Sequence, residues 1–207
     1  MTMPSASANA RRHLGGVVEL AGFARPRAHE PVCGDAFAWN VTAEKATLLV
    51  ADGLGHGSLA REAADRAIAS FLDAPSLAPD QVLRRCHAAL GRTRGAAIAV
   101  VEVDPRHMRL SFCGVGNVRL KDVPHRGGRG MSLPGIVGLR LPPLRVFESR
   151  IHADDVLLLH TDGVPSDFDP SSIRDLPFAD LPQVLTQTHG LPEDDATVVA
   201  VRACATA

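Results

Sequence analysis

With 207 residues and 45% hydrophobic composition the chain can bury one sizeable core, and the usual size of a domain argues against two. A net charge of −1 leaves no chain-wide basic field for phosphate backbones or anionic lipid, so nucleic acid and membrane are not expected as partners. The start lacks a leader-like apolar core, no apolar run nears the roughly 18 residues of a spanning helix, and Cys33, Cys86, Cys113 and Cys204 form no CxxC pair. The expectation is a cytoplasmic protein with reduced thiols and neither a zinc site nor a disulfide scaffold.

Residues 1–12, small and polar, are expected to be disordered, and 13–207 to form a single domain. Apolar or alternating runs bounded by Gly, Pro or Asp predict strands at 17–24, 36–41 and 46–51. The period then changes. Ala60, Ala63, Ala64, Ala67, Ile68 and Phe71 mark one face of a helix over 58–73 that Ser58 could cap. Asp80 could start a second helix with Val82, Leu83, Cys86 and Leu90 on its buried side. Strands at 96–103 and 108–114 flank the turn "VDPRHM", and another follows at 117–121. The stretch 124–143, rich in Gly, Pro and Arg, reads as a long surface loop. Strands at 145–151 and 156–160, a short helix framed by Pro182 and Gly190, and a last strand at 196–202 complete the chain. Neighbouring strands joined by short turns, with helices in blocks, predict an α+β fold of mainly antiparallel sheet covered by helices.

Four acids sit at strand ends. In "LLVADGLGHG" (48–57) an apolar run stops at Asp52, and in "VLLLHTDGVPSD" (156–167) another stops at Asp162. Asp35 in "VCGDAFAW" and Asp194 and Asp195 in "PEDDATVVAV" stand just before strands. Each Asp-Gly alone is a common turn dipeptide. Carboxylates beside buried strands are costly unless paired or bound to a cation, so four such positions invite one shared explanation. Without a Cys or His ligand pattern they suit a hard, oxygen-seeking ion such as Mg²⁺ or Mn²⁺. The glycines of "DGLGHG" match neither a GxxxxGK[ST] loop nor a dinucleotide fingerprint, so a nucleotide cradle is not expected.

Taken in order, "GDAF" (34–37), "VADGLGHG" (50–57), "GVGNVRL" (114–120), "TDGV" (161–164) and "EDDATVV" (193–199) resemble the PPM-type metal-dependent serine/threonine protein phosphatases. The resemblance runs over about residues 17–202 and is strongest to the small bacterial branch that includes the sporulation stage II phosphatase E domain and the stressosome feedback phosphatase. It implies an α-β-β-α sandwich of two antiparallel sheets flanked by helices, with two ions, Mn²⁺ or Mg²⁺, in a cleft at one end. By motif position Asp52 would bridge the ions, the Gly53 carbonyl would bind one, Asp35 would hold or orient water, and Asp162 and Asp194 would hold the second. Hydrolysis by ion-activated water needs no Ser, Cys or His nucleophile. Asp35, Asp52 and His56 are the expected catalytic residues, and a phosphorylated stressosome or anti-sigma-antagonist type protein is the expected partner.

The chain departs from the pattern in several places. Leu54 stands where many members carry His directly after the bridging Asp-Gly, which leaves His56 as proton donor or as a supporting residue. Asn117 and Ser166 replace two acids, which leaves open whether a third ion binds. Arg25 and Arg27 read as surface arginines rather than a phosphate grip, and Arg126 and Arg129 as solvated loop charge that could meet a phosphoprotein. Two rivals remain: a catalytically weak binding module on the same fold, and a hydrolase of small phosphoesters.

Overall fold

The computed structural model describes residues 18–123, 129–153, 155–168, 173 and 176–204, and the backbone of 3–4 and 10–14. One sheet has the strand order β1-β4-β5-β6-β7-β9, built from β1 (Met3–Pro4), β4 (Asp35–Val41), β5 (Ala46–Gly53), β6 (Ala96–Asp104), β7 (Arg109–Val115) and β9 (Phe147–Arg150). The other has the order β2-β3-β11-β10-β8, from β2 (Ala10–Leu14), β3 (Val18–Arg25), β8 (Arg119–Val123), β10 (Val156–His160) and β11 (Ala196–Ala203). Every ladder between these strands is antiparallel.

Strand alternation sorts the side chains into three apolar layers. Phe37, Trp39, Leu48, Val50, Leu157, Leu159, Val199 and Val201 fill the space between the sheets. Their neighbours of opposite parity, Ala36, Ala38, Leu49 and Ala51, pack against α1 (Gly57–Asp73) and α2 (Pro79–Ala89). On the outer face of the second sheet, Leu158, Val198 and Ala200 meet Leu181 and Leu185 of α3 (Leu181–Thr188). Each fully buried Leu, Ile or Phe in these layers stabilises by about 1.5–3 kcal/mol over the exposed side chain. The result is the α-β-β-α sandwich that the motifs imply. No helix among the described residues is long and apolar enough to cross a membrane.

Several details differ from the sequence reading. Helix α1 starts one residue early, with His56 as its N-cap and no side-chain cap bond, so Ser58 lies inside the helix. Strand β8 starts at Arg119 rather than 117, because residues 116–118 carry the chain from one sheet to the other. Met3–Pro4 and Ala10–Leu14, in or across the segment expected to be disordered, run as strands; ladder bonds come from the backbone and require no apolar pattern.

The stretch 124–143 is corrected more deeply. Residues 124–128, and with them Arg126, lie outside the described residues. Beyond them the chain is folded onto the first sheet: Leu133 bridges to Val115, Val137 bridges to Ala96, and Val137 is fully buried. Arg129 is not solvated loop charge. It is 6% exposed and donates to Asp122 at 2.8 Å, to Asp155 at 2.7 Å and to the Arg150 carbonyl. Two buried carboxylates need a cation with several donors, and the guanidinium fork supplies them.

Candidate active site

Parity decides where the acids point. Asp35 and Asp52 are register partners across β4 and β5, and they share the face of Phe37 and Val50, the interior face of the sandwich. At this end the packed core gives way to a cleft of about 550 Å³. Asp52, Asp162, Asp194 and Asn117 line it, together with Leu54, Pro134 and Ile136. A strand that has been burying Leu48 and Val50 thus ends with a carboxylate where water can reach.

Three strand ends are tied together beneath this cleft. The Thr161 hydroxyl donates to Asp35 Oδ2 at 2.8 Å and accepts from the Thr197 amide at 3.0 Å, which couples β10, β4 and β11. Asp195 is turned inward, 4% exposed, and its carboxylate accepts from the Gly34 amide and the Arg27 amide, both at 2.9 Å. The pair Asp194 and Asp195 is therefore divided: one acid faces the cleft and the other holds the loop that carries Asp35. Gly163 explains how the Asp162 and Asp194 loops come so close. A Cβ built there would lie 1.8 Å from the Asp195 carbonyl oxygen, so only glycine fits.

The electrostatics are those of an uncompensated acidic cluster. Burial pushes the Asp52 carboxyl well above the usual carboxylate range, Asp35, Asp162 and Asp194 push it further, and a hydrogen bond from Asn117 opposes them. Burial likewise raises Asp35 to about 7, against the bond from Thr161 and with help from Asp195 and Asp194. Asp194 is raised by burial and then by Asp162. Groups that resist ionisation in this way gain most from a cation among them. Among the described residues no three His, Cys, Asp or Glu side chains are gathered tightly enough to hold an ion by themselves. An all-oxygen set spread around a watery cleft fits Mg²⁺, or a similarly hard ion, which keeps several waters and uses one or two carboxylates.

The structure therefore brings Asp52, Asp162 and Asp194 together at the cleft, and places Asp35 behind Asp52 with 1% exposure. Gly53 ends β5, pressed against the Ala60 backbone so closely that an added Cβ would lie 2.0 Å from the Ala60 oxygen. His56 does not line the cleft. Its Nδ1 pairs with Glu30 Oε1 at 2.8 Å at the start of α1. Arg25 is not a free surface arginine: its guanidinium donates to the carbonyls of Thr186, Leu191 and Asp194, at 3.2, 2.8 and 3.2 Å, and so braces the turn before Asp194. Sequence reasoning missed the role of Thr161, and it read Asn117 only as a lost acid, whereas the Asn117 amide donates to Asp162 Oδ2 at 2.7 Å. The adjacency of Thr161 to Asp162 was the available signal, but only tertiary contact gives either residue its role.

No family model matches the chain. It is 27% identical over 135 residues, 64% of its length, to the phosphoserine phosphatase RsbX of Bacillus subtilis (strain 168), and covers 68% of that protein. Among solved structures, a chain from work on the bacterial stressosome as a modular system adapted to control secondary messenger signalling is 30% identical, with a TM-score of 0.84, over 89% of this chain and 99% of that one. RsbX in complex with magnesium superposes with a TM-score of 0.84 at 20% identity, over 95% of this chain and all of that one. The PP2C phosphatase domain of SpoIIE from Bacillus subtilis does so with a TM-score of 0.70 at 19% identity, covering 89% of this chain and 63% of that one. At these last two identities the likeness is one of fold.

Proposed function

The chain belongs to the PPM-type phosphatases, in their small bacterial branch, and on that premise we propose that it removes phosphate from phosphoserine or phosphothreonine of a protein in bacterial stress signalling, with two divalent ions held by Asp52, Asp162 and Asp194. The observation that carries this reading is the convergence of three carboxylates from separate strand ends on one cleft, with no lysine or arginine among the described residues that line it. Bound Mg²⁺ or Mn²⁺ would offset the phosphoryl charge and supply an acidified water as nucleophile.

Within this reading the residues have distinct tasks. Asp52 and the Gly53 carbonyl would hold the ions on the first sheet's side, where the ions would supply charge neutralisation and an acidified water. Asp35 lies behind Asp52, where it orients water on that side. Asp162 and Asp194 would hold the ion on the other side, with Asn117 donating to one Asp162 oxygen so that the other stays turned to the cleft. His56, anchored by Glu30 outside the cleft, supports the start of α1 rather than delivering a proton. The partner is a phosphorylated stressosome or anti-sigma-antagonist type protein in the cytoplasm, and residues 13–207 form one phosphatase domain.

Chelator-stripped protein should be inert toward a chromogenic aryl phosphate and a phosphoserine peptide, and regain activity on both with Mg²⁺ or Mn²⁺. Calorimetric titration should give two ions per chain. No turnover with any divalent ion would favour the binding-module alternative, and full activity in chelator would remove the ions from the mechanism.

A further inference from the structure

Beside its acids the cleft has a wall of different character. Leu54, Pro134 and Ile136 line it, and Leu54 and Leu139 are 46% and 55% exposed. One exposed leucine carries no information, but a contiguous apolar patch at the mouth of a cleft does. Contiguity follows from the turn at Arg94 and Gly95. The Leu54 amide donates to the Gly95 carbonyl at 3.0 Å. A Cβ built on Gly95 would lie 2.7 Å from Ile136 Cγ2 and 3.3 Å from Leu139 Cγ, so both side chains close over that turn. Arg94 reaches back over Gly55, its Nη1 2.9 Å from where a Cβ of Gly55 would stand. Gly55 itself lines the cleft. Arg94 is exposed and makes no hydrogen bond or ion pair among the described residues.

Leu54, Ile136, Leu139 and Arg94 thus ring one turn next to Asp52. We propose that this wall is a docking surface for the polypeptide around the phosphorylated residue of a protein substrate, with an apolar side chain adjacent to the phosphoserine packed on Leu54, Ile136 and Leu139 and a phosphoryl oxygen met by Arg94. The inference rests on the phosphatase reading above. A small phosphoester would need only the ions held by the acids and the Arg94 guanidinium, and would leave the three apolar side chains bare. A phosphorylated polypeptide covers both, because its flanking side chains project within one residue's length, about 3.5 Å, of the group held in the cleft. Charge supports a phosphorylated occupant: the Arg94 guanidinium, without a partner among the described residues, suits phosphate geometry.

The test uses two phosphoserine peptides that differ only in having Leu or Ser on each side of the phosphoserine, with a chromogenic aryl phosphate as reference. The expected kcat/KM of the intact protein with Mg²⁺ is about tenfold higher for the Leu-flanked peptide, the scale of discrimination that one apolar contact supplies. Leu139→Asp and Leu54→Ser should each collapse that ratio toward one, while melting temperatures show that the variants are folded. Arg94→Ala should raise KM several-fold on all three substrates. Equal rates on the two peptides, or a preference unchanged in both leucine variants, would overturn the docking surface while leaving the phosphatase reading intact. Calorimetric binding of both peptides separates the remaining case: no turnover but tighter binding of the Leu-flanked peptide, lost in Leu139→Asp, would uphold the surface and sink the phosphatase reading. Neither turnover nor a binding preference would end both.

Discussion

The Asn117 amide nitrogen donates to Asp162 Oδ2 at 2.7 Å across the mouth of the cleft, and it also stabilises the charge of Asp52. Asn117 therefore fixes the orientation of Asp162 and eases the charge on Asp52, which an apolar side chain could not do. Asn117→Ala should lower ion affinity and turnover by about 10–100-fold, as loss of such an orienting partner typically does. Calorimetric titration of Mg²⁺ or Mn²⁺ measures the affinity independently of activity. An unchanged affinity would show that the bond is incidental.

Asp52→Asn and Asp162→Asn should cost more than that, because each removes a charged ligand rather than its orienting partner. The two effects of Asp52→Asn should have opposite signs. Turnover falls, yet the metal-free protein melts at a higher temperature, since the buried charge that burial, Asp35 and Asp162 oppose is gone. A variant equally active at saturating ion would show that Asp52 is no ligand.

The same physics sets the pH dependence of the metal-free protein. Asp35 holds its proton up to about pH 7 when folded, against an ordinary value of 3.8 when unfolded, so the folded state binds more protons between those values. Stability therefore falls as pH rises through that window. Burial lowers the pKa of His160, which works in the opposite sense only below about its ordinary 6.5. In chelator, the melting temperature should decline from pH 6.5 to 8, and Mg²⁺ or Asp35→Asn should flatten the decline. A rise over the same interval would contradict the assignment.

Arg129 concerns stability rather than recognition. With Asp122 and Asp155 it forms a cluster in which all three side chains are 5% exposed or less. Arg129→Ala takes the guanidinium away from two buried carboxylates and should destabilise by about 3–5 kcal/mol, measurable by denaturant titration. Deletion of 126–130 should fail for the same reason, with aryl phosphate and phosphopeptide activity lost together. Loss of peptide activity alone would return this segment to a recognition role.

The sequence by itself determined the α+β class and the acids, because both are written in local signals, while the two-sheet sandwich followed from the resemblance of the motifs. Period-two apolar runs mark the strands, the spacing of Ala60, Ala64, Ala67 and Phe71 marks α1, and a carboxylate at the end of a buried run stands out by its cost. Tertiary structure alone decided which acids face one another and which face backbone. Asp194 and Asp195 are identical in type and adjacent in sequence, yet one lines the cleft and the other is bonded to the amides of Gly34 and Arg27. Arg25, Arg129 and Arg94 divide in the same way. The first two are consumed by carbonyls and carboxylates far along the chain, and the third lies over Gly55 with no partner among the described residues. No local pattern separates them, because the partner of a charged side chain is set by sheet register and by loops packed across the sandwich, which only the folded chain specifies.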